Sequence, residues 1–263
     1  MNLFYETTGK GTVPLVALHG GYGLDHTYFR PWLDETAAHV ILPDGRGCGQ
    51  SPRTGLETAD LAQLAADLEE LREQLGFQKW IVLGHSFGSF VAQEYAFRHP
   101  ERVEKLILVG SAPALDYPEI IGKNLAERGT ARQGQLMQQA LTGQLATDAE
   151  FRAGWNELLP LYFHRFDPAV AARLDAPARY SAPALIHGFR MLSQWSGLSR
   201  LGQLKMPVLL ASGADDFITP PAQGLARLQH GIPHAQAVVF NESGHFPFIE
   251  EPALFSRVLA GFL

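Results

Sequence analysis

The sequence predicts an α/β domain: a doubly wound, mostly parallel sheet with a helical cap inserted into it. Three observations carry the prediction. Short continuous apolar runs recur along the chain, at 14–18, 40–42, 80–83, 106–109, 207–211 and 237–240, as expected of strands covered on both faces. Segments of helical period alternate with the middle runs, and right-handed crossovers make a parallel sheet the natural outcome. After residue 110 the alternation stops, and from 112 to 204 no strong strand candidate appears, a stretch too long for one ordinary crossover.

Taken in order, residues 3–7 alternate weakly and read as an outer strand closed by Gly9-Lys10-Gly11. The run at 14–18 ends in His19-Gly20-Gly21, and the run at 40–42 in Pro43-Asp44-Gly45-Arg46-Gly47. Between Thr58 and Gly76 the period is helical. Leu61, Leu64, Ala65, Leu68 and Leu71 share one face, with Thr58 as the expected start cap and Gly76 as the stop. The strand at 80–83 leads into a helix whose small residues Gly88, Ser89, Ala92 and Ala96 let it lie close to the sheet, and this helix stops before Pro100. The next strand is 106–109. The 112–204 segment is rich in Ala, Leu, Gln and Arg, with aromatic residues at Trp155, Tyr162, Phe163, Phe166, Tyr180, Phe189 and Trp195. It reads as the cap, leaving 1–111 and 205–263 as the core. Strands resume at 207–211 and 237–240, and a helix over 252–262 closes the fold.

Composition narrows the function. The chain has 263 residues, 46% of them hydrophobic and 18% charged, enough for a sizeable core and without a low-complexity tract. A net charge of −6 argues against a nucleic-acid or anionic-membrane partner and leaves a small molecule as the expected one. Cys48 is the only cysteine, so no internal disulfide and no cysteine-based metal cluster is expected. The opening residues Met1-Asn2-Leu3-Phe4-Tyr5-Glu6 lack the basic and apolar regions of a secretory signal, and no run reaches the length of a membrane span. A cytoplasmic location is therefore expected.

The chemistry centres on Gly84-His85-Ser86-Phe87-Gly88, a G-x-S-x-G turn between strand and helix. Such an elbow lifts the serine hydroxyl above the sheet edge, and the helix N-terminus behind it offers unpaired N–H groups to developing negative charge. A serine hydroxyl needs a base to accept its proton, and the base needs a carboxylate to orient it. Gly213-Ala214-Asp215-Asp216 and Glu242-Ser243-Gly244-His245 follow the last two strands, so acid and imidazole emerge at the same sheet edge. His245 takes the role of base. Asp216 takes that of acid, with Asp215 the alternative and the other carboxylate expected to cap a helix near Pro220. Of the ten histidines, His99, His230 and His234 read as surface or satisfied core residues.

With these residues in hand, the chain resembles the α/β-hydrolases over nearly its whole length. His19-Gly20-Gly21-Tyr22-Gly23-Leu24-Asp25-His26, the Asp44-Gly45-Arg46-Gly47-Cys48-Gly49-Gln50-Ser51 loop and the elbow are similar to the proline iminopeptidase branch of serine peptidases. The resemblance implies an oxyanion hole built from the N–H groups of Gly21 and Phe87, and it supports Asp216 as the acid. His19 and the 44–51 loop are expected to shape the oxyanion loop and brace the sheet edge without touching substrate. That branch has proline where Tyr22 stands, and it holds the substrate amine with acidic groups, in some members one directly after the triad acid. Here that position is Phe217, leaving Glu157 and Asp167 as the substitutes to consider.

The expectation is a serine hydrolase, free of metal and cofactor, that cleaves a small ester or amide through an acyl-enzyme in the manner of a proline iminopeptidase. Tyr22, Trp155, Phe217 and Phe246 are the candidate pocket residues. A carboxylesterase is the near alternative, followed by a carbon–carbon bond hydrolase or lyase using the same three residues. A non-catalytic ligand receptor is the alternative of another class.

Overall fold

A computed structural model describes all 263 residues. Its strands are β1 (Tyr5–Thr8), β2 (Pro14–Leu18), β3 (His39–Pro43), β4 (Trp80–His85), β5 (Val103–Val109), β6 (Val208–Gly213) and β7 (Gln236–Phe240). They form one sheet in the order β1-β3-β2-β4-β5-β6-β7. Only β1 runs antiparallel, paired to β3 with Tyr5 opposite Pro43, and it starts two residues later than the sequence pattern suggests. Leu3 is buried ahead of the strand rather than forming part of it.

Alternate residues of each central strand feed opposite faces. Val16, Val82, Leu106 and Val208 point into one core with α1 (Leu61–Gln74) and α2 (Phe87–Arg98). Leu15, Ile81, Ile107 and Leu209 point into the other. This two-sided burial is the reason the strands read as continuous apolar runs rather than alternating ones. At the start of α1 the cap is Asp60, whose carboxylate accepts from Gln63 N–H at 2.8 Å. The expected Thr58 lies two residues too early to reach those orphan donors.

Between β5 and β6 the chain makes no strand. It forms α3 (Pro118–Arg128), α4 (Ala131–Leu141), α5 (Asp148–Leu158), α6 (Pro168–Asp175) and α7 (Ala182–Ser193). Thr130 and Thr147 each close a reciprocal capping box with the glutamine or glutamate three residues on. The chain then returns through β6, α8 (Leu225–Gly231), β7, α9 (Pro247–Glu250) and α10 (Pro252–Phe262). No helix is long and apolar enough to cross a membrane.

The strand order reverses between β2 and β4, which are neighbours although β3 intervenes in sequence. In an open parallel sheet the crevice at such a reversal, beyond the carboxyl ends of the strands, is where ligands bind. Gly20 and Gly21 follow β2 there, and Ser86 follows β4.

Candidate active site

The turn after β4 forces Ser86 to φ 52°, the only non-glycine residue with positive φ. Its flanking glycines are required by close approach. A Cβ on Gly84 would sit 2.5 Å from the Gly88 carbonyl, and one on Gly88 would sit 2.2 Å from that of Leu18. The Ser86 N–H is held by the Val109 carbonyl at 2.9 Å, which ties the elbow to β5. Phe87 is the first residue of α2, so its N–H has no acceptor within the helix.

His245 and Asp216 meet although 29 residues separate them. His245 Nδ1 lies 2.7 Å from Asp216 Oδ2, and both residues are 2% exposed. A carboxylate can only accept, so Nδ1 carries a proton, and in the neutral ring the lone pair is left on Nε2. Nε2 is buried and has no hydrogen-bond partner, and it belongs to a residue lining the same cavity as Ser86. Asp216 accepts further bonds from Ile218 N–H at 3.0 Å, Thr219 N–H at 2.9 Å and the Thr219 hydroxyl at 2.6 Å. Burial alone would raise this carboxyl. The His245 imidazole and the Thr219 donors outweigh it and hold Asp216 below the usual carboxylate range.

Asp215 points elsewhere. It pairs with Arg128 at 3.1 Å and with the His164 ring near the surface. Neither aspartate caps a helix near Pro220: α8 starts at Leu225, because the intervening residues turn back around Asp216 through its bonds to Ile218 and Thr219.

His19 fixes the loop after β2. Its Nδ1–H donates to the Gly20 carbonyl at 3.0 Å while Nε2 accepts from Gly45 N–H at 3.0 Å, a pattern only the neutral ring satisfies. The Gly20–Gly21 peptide is trans, so pinning its carbonyl on one side turns the Gly21 N–H to the other. Gly21 and Phe87 both line the cavity that holds Ser86. Asp44 braces the same edge, accepting from the His26 ring at 2.7 Å and Gln50 N–H at 2.8 Å.

A cavity of about 990 Å³, counting its open mouth, lies over Ser86. Of its 25 lining residues 18 are hydrophobic, and none is Asp, Glu, Lys or Arg. Gly21, Tyr22, Phe87, Trp155, Ser86, His245 and Phe246 all line it. Tyr22 lays its ring on Phe87, centroids 4.4 Å apart, and gives its hydroxyl to the Arg46 carbonyl.

Phe217 does not line the cavity. It is 1% exposed and packs edge-on against Tyr162 at 4.9 Å, because the turn that wraps Asp216 sends residue 217 into the core and residues 218 and 219 toward the cavity. Glu157 is exposed and pairs with Arg132 at 3.5 Å, and exposed Asp167 caps α6 by accepting from Ala169 N–H. Neither carboxylate reaches the cavity.

Sequence reasoning missed Thr219, Tyr28 and His85, all of which line the cavity. Thr219, three residues past Asp216, had a signal in that spacing, a common side-chain-to-backbone turn. Tyr28 and His85 had none beyond the place of His85 in the elbow. No group of three or more His, Cys, Asp or Glu side chains is arranged to hold a metal ion.

Residues 13–252 match the family model of the alpha/beta hydrolase fold. The chain is 30% identical to a proline iminopeptidase of Lactobacillus delbrueckii subsp. bulgaricus, over 99% of this chain and 93% of that one. Among solved structures it is similar to a thermophilic esterase from Thermogutta terrifontis, with 26% identity, a TM-score of 0.78 and coverage of 98% and 92% of the two chains. It is also similar in fold to a proline iminopeptidase from Mycobacterium smegmatis, with 24% identity, a TM-score of 0.76 and coverage of 99% and 93%. The chain is a hydrolase of the α/β-hydrolase family, in the branch that contains the proline iminopeptidases.

Proposed function

We propose that the protein is a serine hydrolase that cleaves uncharged esters of apolar acids through an acyl-enzyme. Ser86 Oγ attacks the carbonyl carbon while His245 Nε2 takes its proton. Asp216 holds the ring and stabilises the imidazolium, and the N–H groups of Gly21 and Phe87 receive the oxyanion. Collapse of the tetrahedral intermediate breaks the bond to the leaving group, which takes the proton from His245. Water, deprotonated by the same nitrogen, then releases the acid and restores Ser86. In this reading residues 112–204 act as a cap: they supply 11 of the 18 hydrophobic lining residues, eight of them from α4, α5 and α7, and keep bulk water from the acyl group.

The observation that carries the substrate preference is the absence of any carboxylate from the cavity wall. An aminopeptidase must hold a protonated amine, and burying one without a counter-charge costs several kcal/mol. The 30% identity to a proline iminopeptidase favours the second reading, an aminopeptidase. A parallel screen of proline, alanine and leucine arylamides against short and medium p-nitrophenyl esters separates the two. The ester reading expects kcat/KM on a medium-chain ester to exceed that on every arylamide, and a preference for the proline arylamide would reverse it.

A further inference from the structure

Four groups from three separate parts of the chain form one buried hydrogen-bond chain beside Ser86. The Gly20 N–H donates to Tyr28 Oη, Tyr28 Oη lies 2.8 Å from His85 Nδ1, and His85 Nε2 lies 2.9 Å from the His245 carbonyl. The direction of every bond is determined. An N–H can only donate and a carbonyl can only accept, so Tyr28 receives from Gly20 and spends its one proton on His85 Nδ1. That leaves the His85 proton on Nε2, where it is donated to His245. Each donor and acceptor is used once, and only neutral His85 allows it.

Tyr28 and His85 are 7% and 1% exposed, and the His85 ring sits among Tyr28, Phe29, Phe246 and Phe248. His85 is bonded covalently to Ser86. One end of the chain grips the loop that presents the Gly21 N–H, the other grips the backbone of the base, and the nucleophile hangs from the middle.

We propose that Tyr28 and His85 are positioning residues, which keep the oxyanion loop and His245 in register with Ser86. The proposal rests on the serine-hydrolase reading above. Both residues also line the cavity, so the test must separate register from grip, and Tyr28→Phe does so by removing the hydroxyl while keeping the apolar ring in the wall. Loss of register by about 1 Å costs on the order of a hundredfold in rate.

The test compares Tyr28→Phe, His85→Phe, their double variant and His85→Gln with the wild-type enzyme. The readouts are kcat and KM on a p-nitrophenyl ester, the rate of fluorophosphonate labelling at Ser86, and the melting temperature. Tyr28→Phe should lower kcat and the labelling rate together by about 10- to 100-fold with KM within about twofold. The double variant should lose no more than the worse single one, since both break the same chain. His85→Gln, which can still donate to His245 and accept from Tyr28, should retain more kcat than His85→Phe. Where Tyr28→Phe does not fold, the Gln and Phe variants of His85 make the same comparison. A labelled wild type with Tyr28→Phe labelled equally fast overturns the relay alone, as does a Gln variant no better than Phe. A wild type unlabelled at Ser86 overturns the underlying reading as well.

Discussion

Asp215 and Asp216 are adjacent in sequence but serve opposite sides of the β6 turn: Asp216 Oδ2 lies 2.7 Å from His245 Nδ1, while Asp215 pairs outward with Arg128 and His164. The two make a matched pair of variants. On the proposed mechanism Asp216→Asn keeps the shape of the turn but removes the charge assigned to the imidazolium, and should lower kcat by about 10³- to 10⁴-fold. Asp215→Asn should change kcat by less than about threefold, since it alters a partly exposed ion pair worth at most about 1 kcal/mol. Steady-state kinetics on one ester decides between them.

The positive φ of Ser86 carries a stability cost. A side chain held in that region costs about 1–3 kcal/mol. Ser86→Gly should remove both the strain and the activity, whereas Ser86→Ala should remove the activity alone. Even after the entropy that glycine adds to the unfolded chain, about 0.4–1 kcal/mol, the glycine variant should be the more stable by about 1 kcal/mol. Urea unfolding of both variants provides the comparison.

His19 and His85 predict an acid-side loss of stability. Burial lowers both imidazoles below the ordinary 6.5, opposed at His19 by the nearby Asp44 charge and reinforced at His85 by His245. A depressed folded-state value means that stability is complete above the unfolded value and is lost as pH falls below about 6.5. Each histidine contributes a slope of about 1.4 kcal/mol per pH unit. His26 is shifted upward, so its contribution varies only above 6.5, and Glu250, raised by burial, opposes the loss upward from 4.5. Comparing wild type with His85→Gln from pH 6.5 to 5.5 isolates one histidine. The variant should show the shallower slope, and equal slopes would mean that His85 takes up its proton in the folded state.

A carboxylate placed in the cavity should redirect specificity. Phe189 lines the wall and is only half-buried, so Phe189→Glu presents a charge at modest folding cost. The ratio of leucine arylamide to ester turnover should rise about tenfold, the effect of one interaction of about 1.4 kcal/mol. An unchanged ratio would show that lack of a counter-charge is not what excludes amines.

The sequence made legible whatever rests on local pattern. Strand β2 and helix α10 fall where their apolar runs and prolines place them, because two-sided burial and helix starts leave direct marks on consecutive residues. That His245 meets a carboxylate of the β6 turn is legible in chain order and strand ends, while the choice of Asp216 over Asp215 leans on the family resemblance. What stayed hidden depends on contacts between distant residues or on the direction of one side chain. Tyr28 and His85 are 57 positions apart and meet only because β2 and β4 are neighbours in the sheet. Phe217 reads as a wall residue until the turn around Asp216 determines which of three consecutive side chains faces inward. The carboxylate-free wall likewise emerges only once α4, α5 and α7 are packed over the elbow.

The central claim is that Ser86 is made nucleophilic by His245 and Asp216. Its most direct test is mass spectrometry after incubation with a fluorophosphonate, on wild type and on His245→Ala. The account predicts one covalent adduct on wild type, mapped to the peptide carrying Ser86, and labelling slowed by orders of magnitude in the variant. An unlabelled wild type, an adduct on another residue, or equal labelling of the two proteins would contradict it.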